Sequence, residues 1–213
     1  MMLHVQDLTH QYGIQDVLKH LDLSVSAGQL VMLAGHNGSG KSTLLRCIAS
    51  WTKPHEGTIT INNLTIKQER EFRAQVILIP DAPDFYDELT AWEHLQFIGQ
   101  LHKVADWEEQ AKNLLEQLNL SAQKNAFPFT FSRGMRYKMA LALAFLVSPP
   151  LLLLDEPFGP LDPETRQLLW DMLKAYRSDG RKSVLFSSHG MPTDEQPDAI
   201  YRLQDGQITV DAE

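Results

Sequence analysis

Cysteine is nearly absent: Cys47 is the only one, which excludes an internal disulfide and any metal cluster built from cysteines, and suits a reducing compartment. Basic residues are in deficit too, with 19 Lys and Arg against 27 Asp and Glu and a net charge of -8. Phosphate backbones select basic faces, so nucleic acid is not expected as a partner. Long apolar runs are also missing. The stretch Met139 to Leu154 is broken by Ser148-Pro149-Pro150 and ends on Asp155-Glu156, so it is no membrane span. The amino terminus, Met1 to Asp7, has neither the basic region nor the apolar stretch of a secretory signal. Any membrane role is therefore expected to come through a partner. No repeat at periods of about 20 to 50 residues and no low-complexity linker is found. The 213 residues are expected to bury one sizeable core with a smaller subdomain inserted into it.

One segment stands against these absences. Behind the apolar run Gln29 to Ala34 comes Gly35-His36-Asn37-Gly38-Ser39-Gly40-Lys41-Ser42-Thr43, which has the spacing of a phosphate-binding P-loop. Glycines at 35, 38 and 40 let successive backbone N–H groups converge on a polyphosphate, and a helix beginning near Lys41 aims its positive end there. Lys41 would reach the β- and γ-phosphates, and Ser42 would offer its hydroxyl to Mg²⁺. A glycine-rich turn that happens to end in Lys-Ser is the plain alternative, but strand, loop, Lys-Ser and helix occur in the required order.

Short strands are expected at Leu3 to Asp7, Leu21 to Val25, Leu30 to Ala34, Thr58 to Ile61 and Gln75 to Ile79. From Asp81 to about Val147 the pattern turns helical, with a capping box at Thr90 and Glu93 and apolar residues Trp107, Ala111, Leu114, Leu115 and Leu118 at helical spacing. Strands return at Leu151 to Leu154 and Ser183 to Phe186, on either side of a helix capped by Asp162 with Pro163 in its first turn. Apolar strands alternating with helices indicate a parallel sheet covered on both faces, and Ile200 to Leu203 with Gln207 to Val210 read as a closing hairpin.

Leu151 to Leu154 runs straight into Asp155 and Glu156. Alone, acidic residues after an apolar strand are as often bland as functional. With a P-loop upstream in the same parallel sheet, the carboxyl end of this strand should open at the same crevice. Asp155 would then orient Mg²⁺ through its water shell, and Glu156 would act as general base or position the attacking water.

Taken with Phe131-Ser132-Arg133-Gly134-Met135, these motifs resemble, over essentially the whole chain, the ATP-binding subunit of an ABC transporter of the exporter-like kind. The family usually has Leu-Ser-Gly-Gly-Gln in that signature; Ser132 and Gly134 are retained, and Arg133 adds a cation. The Ser-any-Gly-Met form resembles exporter-type members. A helix N-cap at Ser132 is compatible with that role, because a capped N-terminus is itself an anion site. The resemblance implies an α/β P-loop NTPase with a RecA-like parallel sheet core, an N-terminal antiparallel β subdomain and an inserted helical subdomain. It also implies one ABC-type domain over residues 1–213, with 1–80 and 148–213 as the nucleotide-binding core and 81–147 as the helical part.

By the same resemblance, Tyr12 would stack on adenine unless it is an ordinary strand-end tyrosine, and His189 would sense the γ-phosphate. Gly159 to Asp162 would form the loop that crosses the dimer interface. Asp81 stands where the family usually has Gln, and it would meet Mg²⁺ or water. The aromatics Phe85, Tyr86 and Trp92 would either receive a transmembrane subunit or pack the insert on the core. ATP and Mg²⁺ are the implied cofactors. The implied partners are a transmembrane permease subunit on a separate chain and a second copy of this chain or a related subunit, which would set the protein in the cytoplasm on the inner face of the plasma membrane. The alternative is a soluble ABC-type ATPase of translation or DNA maintenance.

Overall fold

Leu30 to Ala34, Leu151 to Leu154 and Ser183 to Ser188 are buried at every residue, the mark of strands covered on both faces. The computed structural model describes residues 1–191 and 196–210; residues 192–195 and 211–213, which fall in the expected core span 148–213, lie outside the described residues. In chain order the elements are β1 (Leu3–Tyr12), β2 (Gln15–Val25), β3 (Leu30–Ala34), α1 (Lys41–Ile48), β4 (Glu56–Ile61), β5 (Leu64–Thr65), α2 (Glu69–Arg73) and β6 (Val76–Ile79). They continue with α3 (Ala91–Leu101), α4 (Trp107–Gln117), α5 (Arg133–Val147), β7 (Leu151–Leu154), α6 (Pro163–Tyr176), β8 (Ser183–Ser188), β9 (Ala199–Gln204) and β10 (Gln207–Val210).

A six-stranded sheet runs β10-β9-β3-β8-β7-β6. All its neighbours pair in parallel except the β9–β10 hairpin at the edge. Because side chains alternate along a strand, each central strand feeds two cores. Leu30 and Met32 of β3, Leu152 and Leu154 of β7, and Val184 and Phe186 of β8 join the core that holds α5 and α6. Val31 and Leu33, Leu151 and Leu153, and Leu185 join the core that holds α1 and β1. This is the expected α/β P-loop fold, with an antiparallel second sheet of order β2-β1-β4-β5 beside it.

β1 extends five residues past the expected end at Asp7. Asp7 has φ 50° and the β1–β2 register shifts between Val5 and Leu8 and again before Gln11. Bulges of this kind break the two-residue alternation by which a strand is read, while the backbone pairing continues. Helix α2 was not expected: only Phe72 of its five residues is buried, so it carries almost no periodic signal.

Between β6 and β7 lie α3, α4 and α5. Thr90 caps α3 as a full capping box, its hydroxyl accepting from the Glu93 N–H while the Glu93 carboxylate accepts from the Thr90 N–H. Ser132 caps α5 through the Met135 N–H, and Asp162 caps α6 through the Thr165 N–H. Trp92 packs on Trp107 with ring centroids 5.4 Å apart, tying α3 to α4 within the helical part.

Leu153 of β7, between β8 and the edge strand β6, is 0% exposed. Leu153→Ala should lower unfolding stability by about 2–5 kcal/mol with an unchanged denaturant slope, since it leaves a cavity in a packed core. Urea titration followed by circular dichroism measures it; a loss below 1 kcal/mol would contradict tight packing there.

Candidate active site

β3 ends at Ala34 and the chain turns through Gly35 to Gly40 into α1. The N-cap of α1 is Gly40, whose φ of 106° is closed to ordinary side chains, and no side chain caps the helix. Its first N–H groups therefore face outward as anion donors. Lys41, 6% exposed, donates from Nζ to the carbonyls of Gly35 at 2.8 Å and His36 at 3.2 Å. Glu156 Oε1 lies 3.3 Å from the same ammonium. Inside the loop the buried Ser39 hydroxyl has no hydrogen-bond partner among the described residues.

The acidic side sits where β7 ends. Asp155 is buried, and Ser187 at the end of neighbouring β8 donates to its carboxylate at 2.7 Å. The same Ser187 hydroxyl accepts from the Glu156 N–H at 2.9 Å. Glu156 has φ 50°, a left-handed backbone that costs about 1–2 kcal/mol for a residue with a Cβ, and the Ser187 contact holds it there. Glu156 Oε1 also lies 3.1 Å from His189 Nε2, and the other ring nitrogen of His189 lies 3.2 Å from the Gly35 carbonyl. His189 thus bridges the glycine loop and Glu156. Sequence reasoning missed Ser187; its one signal was a small hydroxyl at the carboxyl end of an apolar strand.

These groups surround a cavity of about 380 Å³. Tyr12, Asn37, Gly38, Gly40, Lys41, Ser42, Thr43, Asp81, Asp155 and Glu156 line it, together with Val17 of β2, which the sequence did not suggest. Gly35, His36 and His189 meet it through the contacts above. Tyr12 is half exposed and stands edge-on to His10 at 4.8 Å. Burial, and then the neighbouring His55, lowers the pKa of His10 behind Tyr12. Tyr137 of α5 is wholly buried; desolvation and then the carboxylates of Asp155, Asp81 and Glu156 push its phenol well above the usual range.

Ser132 and Gly134 are not among the residues that line the cavity. They sit at the N-terminus of α5, where Gly134 packs on the loop after β7. A Cβ at Gly134 would lie 2.9 Å from the Pro160 carbonyl oxygen, so only glycine lets helix and loop approach this closely. Asp81 lines the cavity and also pairs with Arg133 Nη2 at 2.5 Å.

The Ser42 hydroxyl and the carboxylates of Asp155 and Asp81 are hard oxygen donors of the kind Mg²⁺ takes. Among the described residues no group of three or more His, Cys, Asp or Glu could hold a metal unaided. A divalent cation would therefore need phosphate oxygens and water beside these side chains.

A glycine loop between the central strand and a helix, a buried lysine, and paired carboxylates at the end of a nearby parallel strand define a P-loop ATPase. Residues 18–159 match the ABC transporter family model, and the chain belongs to that family: it is an ABC-type ATP-binding subunit, an ATPase that binds and hydrolyses ATP. It is 35% identical over 211 residues to the ABC-type transporter ATP-binding protein EcsA of Bacillus subtilis, covering 97% of this chain and 85% of that one. Its structure is similar to the ATP-binding subunit of an ABC transporter, with a TM-score of 0.91, 33% identity and coverage of 98% and 88% of the two chains. It is also similar to the ATP-binding cassette MJ0796, a dimer in a post-hydrolysis state bound to ADP and Pi, with a TM-score of 0.87, 25% identity and coverage of 97% and 96%. Relatives named for peptide export and for sulfate/thiosulfate import both occur, so likeness alone does not give the direction of transport.

Ser187→Ala leaves the Glu156 N–H without its acceptor and Asp155 without its donor. It should cost about 1–3 kcal/mol of stability and lower ATP turnover more than ATP affinity. Denaturant unfolding and steady-state kinetics on one preparation check this; unchanged turnover would remove Ser187 from the support of the two carboxylates.

Proposed function

We propose that this chain powers export through a separate transmembrane permease subunit, as one half of a dimer that closes on two ATP molecules. One observation carries the reading: Lys41, Ser42, Asp155 and Glu156 line one cavity, while Ser132 and Gly134 are not among its lining residues. A site so divided is completed by a second chain, whose Ser132 hydroxyl and Gly134 N–H would cap the γ-phosphate. Residues 1–80 and 148–213 act as the nucleotide-binding core and 81–147 as the helical subdomain. The Ser-any-Gly-Met form of residues 132–135 favours export over import.

The nucleotide sits on Gly35, His36, Asn37, Gly38, Ser39, Gly40, Lys41, Ser42 and Thr43, with the adenine against Tyr12. Phosphate oxygens replace the carbonyls and the Glu156 carboxylate around the Lys41 ammonium. That exchange frees Glu156 to take a proton from water, while His189 stays on the same oxygen, Oε1, that Lys41 leaves. Ser42, Asp155 and Asp81 would hold Mg²⁺, which neutralises phosphate charge when bound. Loss of the γ-phosphate removes the contacts that join the two chains, and the dimer opens.

Among the described residues no helix is long and apolar enough to cross a membrane. An apolar groove of about 360 Å³, lined by Trp51, Ile77, Pro83, Phe85, Ile98 and Ala140 among others, suits the end of a permease helix. Trp51 is 59% exposed there. Of the three aromatics first considered for docking, Phe85 lines this groove, while Tyr86 and Trp92 are not among its lining residues. Docking there would hold the chain on the cytoplasmic face of the plasma membrane.

Lys41→Ala should nearly abolish hydrolysis while leaving the melting temperature close to that of the wild type; normal turnover in a folded variant would sink the phosphate role. Glu156→Gln should bind Mg·ATP, fail to hydrolyse it and accumulate as a dimer, and adding Ser132→Arg should return it to monomer. Light scattering with ATP and with ADP, at high protein concentration, reads both. A Glu156→Gln protein that binds saturating ATP yet stays monomeric would overturn the two-chain site.

A further inference from the structure

Two of the departures from the family pattern noted above, Asp81 and Arg133, meet in the fold. Asp81 follows β6 by two residues and lines the cavity with Ser42, Asp155 and Glu156. Its Oδ1 accepts from Arg133 Nη2 at 2.5 Å, at the first turn of α5. Three residues along the same helix, Arg136 donates to the Pro83 carbonyl at 3.0 Å, lies 3.5 Å from Asp84 Oδ1 and stands 5.8 Å over the Phe85 ring. Residues three apart share a helix face. The two arginines therefore clasp segment 81–85, which starts in the nucleotide cavity at Asp81 and ends in the apolar groove at Phe85.

We propose that the Asp81–Arg133 pair is a latch opened by the metal of a bound nucleotide: the divalent cation and the Arg133 guanidinium compete for the Asp81 carboxylate. This rests on the nucleotide reading of the cavity. An ionised carboxylate only accepts, and although Arg133 occupies Oδ1 alone, the carboxylate carries one negative charge: a divalent cation drawn to it weakens its hold on the guanidinium and itself repels the guanidinium. The pair is exposed, 63% at Arg133 and 45% at Asp81, and exposed pairs of this kind are weak. A divalent charge in a cavity that also holds Asp155 and Glu156 outcompetes it. Once released, Arg133 adds a free cation beside Ser132 and Gly134, so the face offered to the second chain becomes more positive only when this chain's own cavity is loaded. Coupling of this kind is reciprocal: whatever the metal does to Arg133, Arg133 does to the metal. Arg136, which holds Pro83, Asp84 and Phe85, keeps the rest of the segment in place during the exchange.

The test uses the full chain as wild type, Arg133→Ala, Arg133→Lys, Asp81→Asn and the Asp81→Asn/Arg133→Ala double variant. Affinity for a non-hydrolysable ATP analogue is measured by calorimetry with Mg²⁺ and with a chelator, at low and high salt, and the ratio of the two affinities is the readout. Arg133→Ala should enlarge the gain from Mg²⁺ by about two- to five-fold at low salt and by less at high salt. Arg133→Lys should restore a ratio near wild type, and in the Asp81→Asn background Arg133→Ala should change nothing. A ratio indifferent to Arg133→Ala, or an Arg133 effect that persists without the Asp81 charge, overturns the latch. If the wild type binds the analogue and only the ratio fails, the latch alone falls; if it binds no nucleotide at all, the reading of the cavity falls with it.

Discussion

A buried ammonium governs the nucleotide cavity. Lys41 is 6% exposed, and a cation removed from water to that degree is tolerated only with partners around it. Its three partners come from two places: the Gly35 and His36 carbonyls of the loop, and the Glu156 carboxylate from the end of β7. They converge because β3, β8 and β7 run parallel and side by side, so their carboxyl ends open on the same edge. The two-sided burial of those strands is thus what gives the lysine its surroundings. An anion with several oxygens matches what the lysine, the bare N-terminus of α1 and the converging loop have in common.

The same strand ends hold strain in place. Glu156 adopts a left-handed backbone, and a single hydroxyl on the adjacent strand, that of Ser187, both receives its N–H and binds the Asp155 carboxylate. One side chain therefore sets the direction of two carboxylates that differ in burial. His189, a little further along the chain, closes the ring by meeting Glu156 and the loop at once. Strain at such a position persists only where neighbours over-determine it.

Much of this was legible in the residues. Unbroken apolar runs marked β3 and β7, and Ser132, Asp162 and Pro163 marked the starts of α5 and α6, because capping is a local chemistry that a short window of sequence displays. The extent of β1 was not legible, since its bulges scramble the alternation on which the eye depends, and α2 buries too little to be periodic. In the cavity, the residues of the glycine loop and the two carboxylates could be picked out by order and spacing. Ser187 and Val17 could not, because nothing in their own stretches of chain records which strand they would lie beside. The Asp81–Arg133 contact spans 52 positions and exists only through the way α5 crosses the end of β6.

Cys47 has a practical consequence. It is 2% exposed on the buried side of α1, and burial raises its thiol to about 12. The thiolate is the form that reacts with alkylating and maleimide reagents, and at neutral pH almost none is present. Thiol-directed reagents should therefore label the folded protein very slowly at Cys47. A pair of new surface cysteines, one on the helical part and one beside the apolar groove, could carry fluorescent or spin probes into the wild-type background without first removing the natural residue.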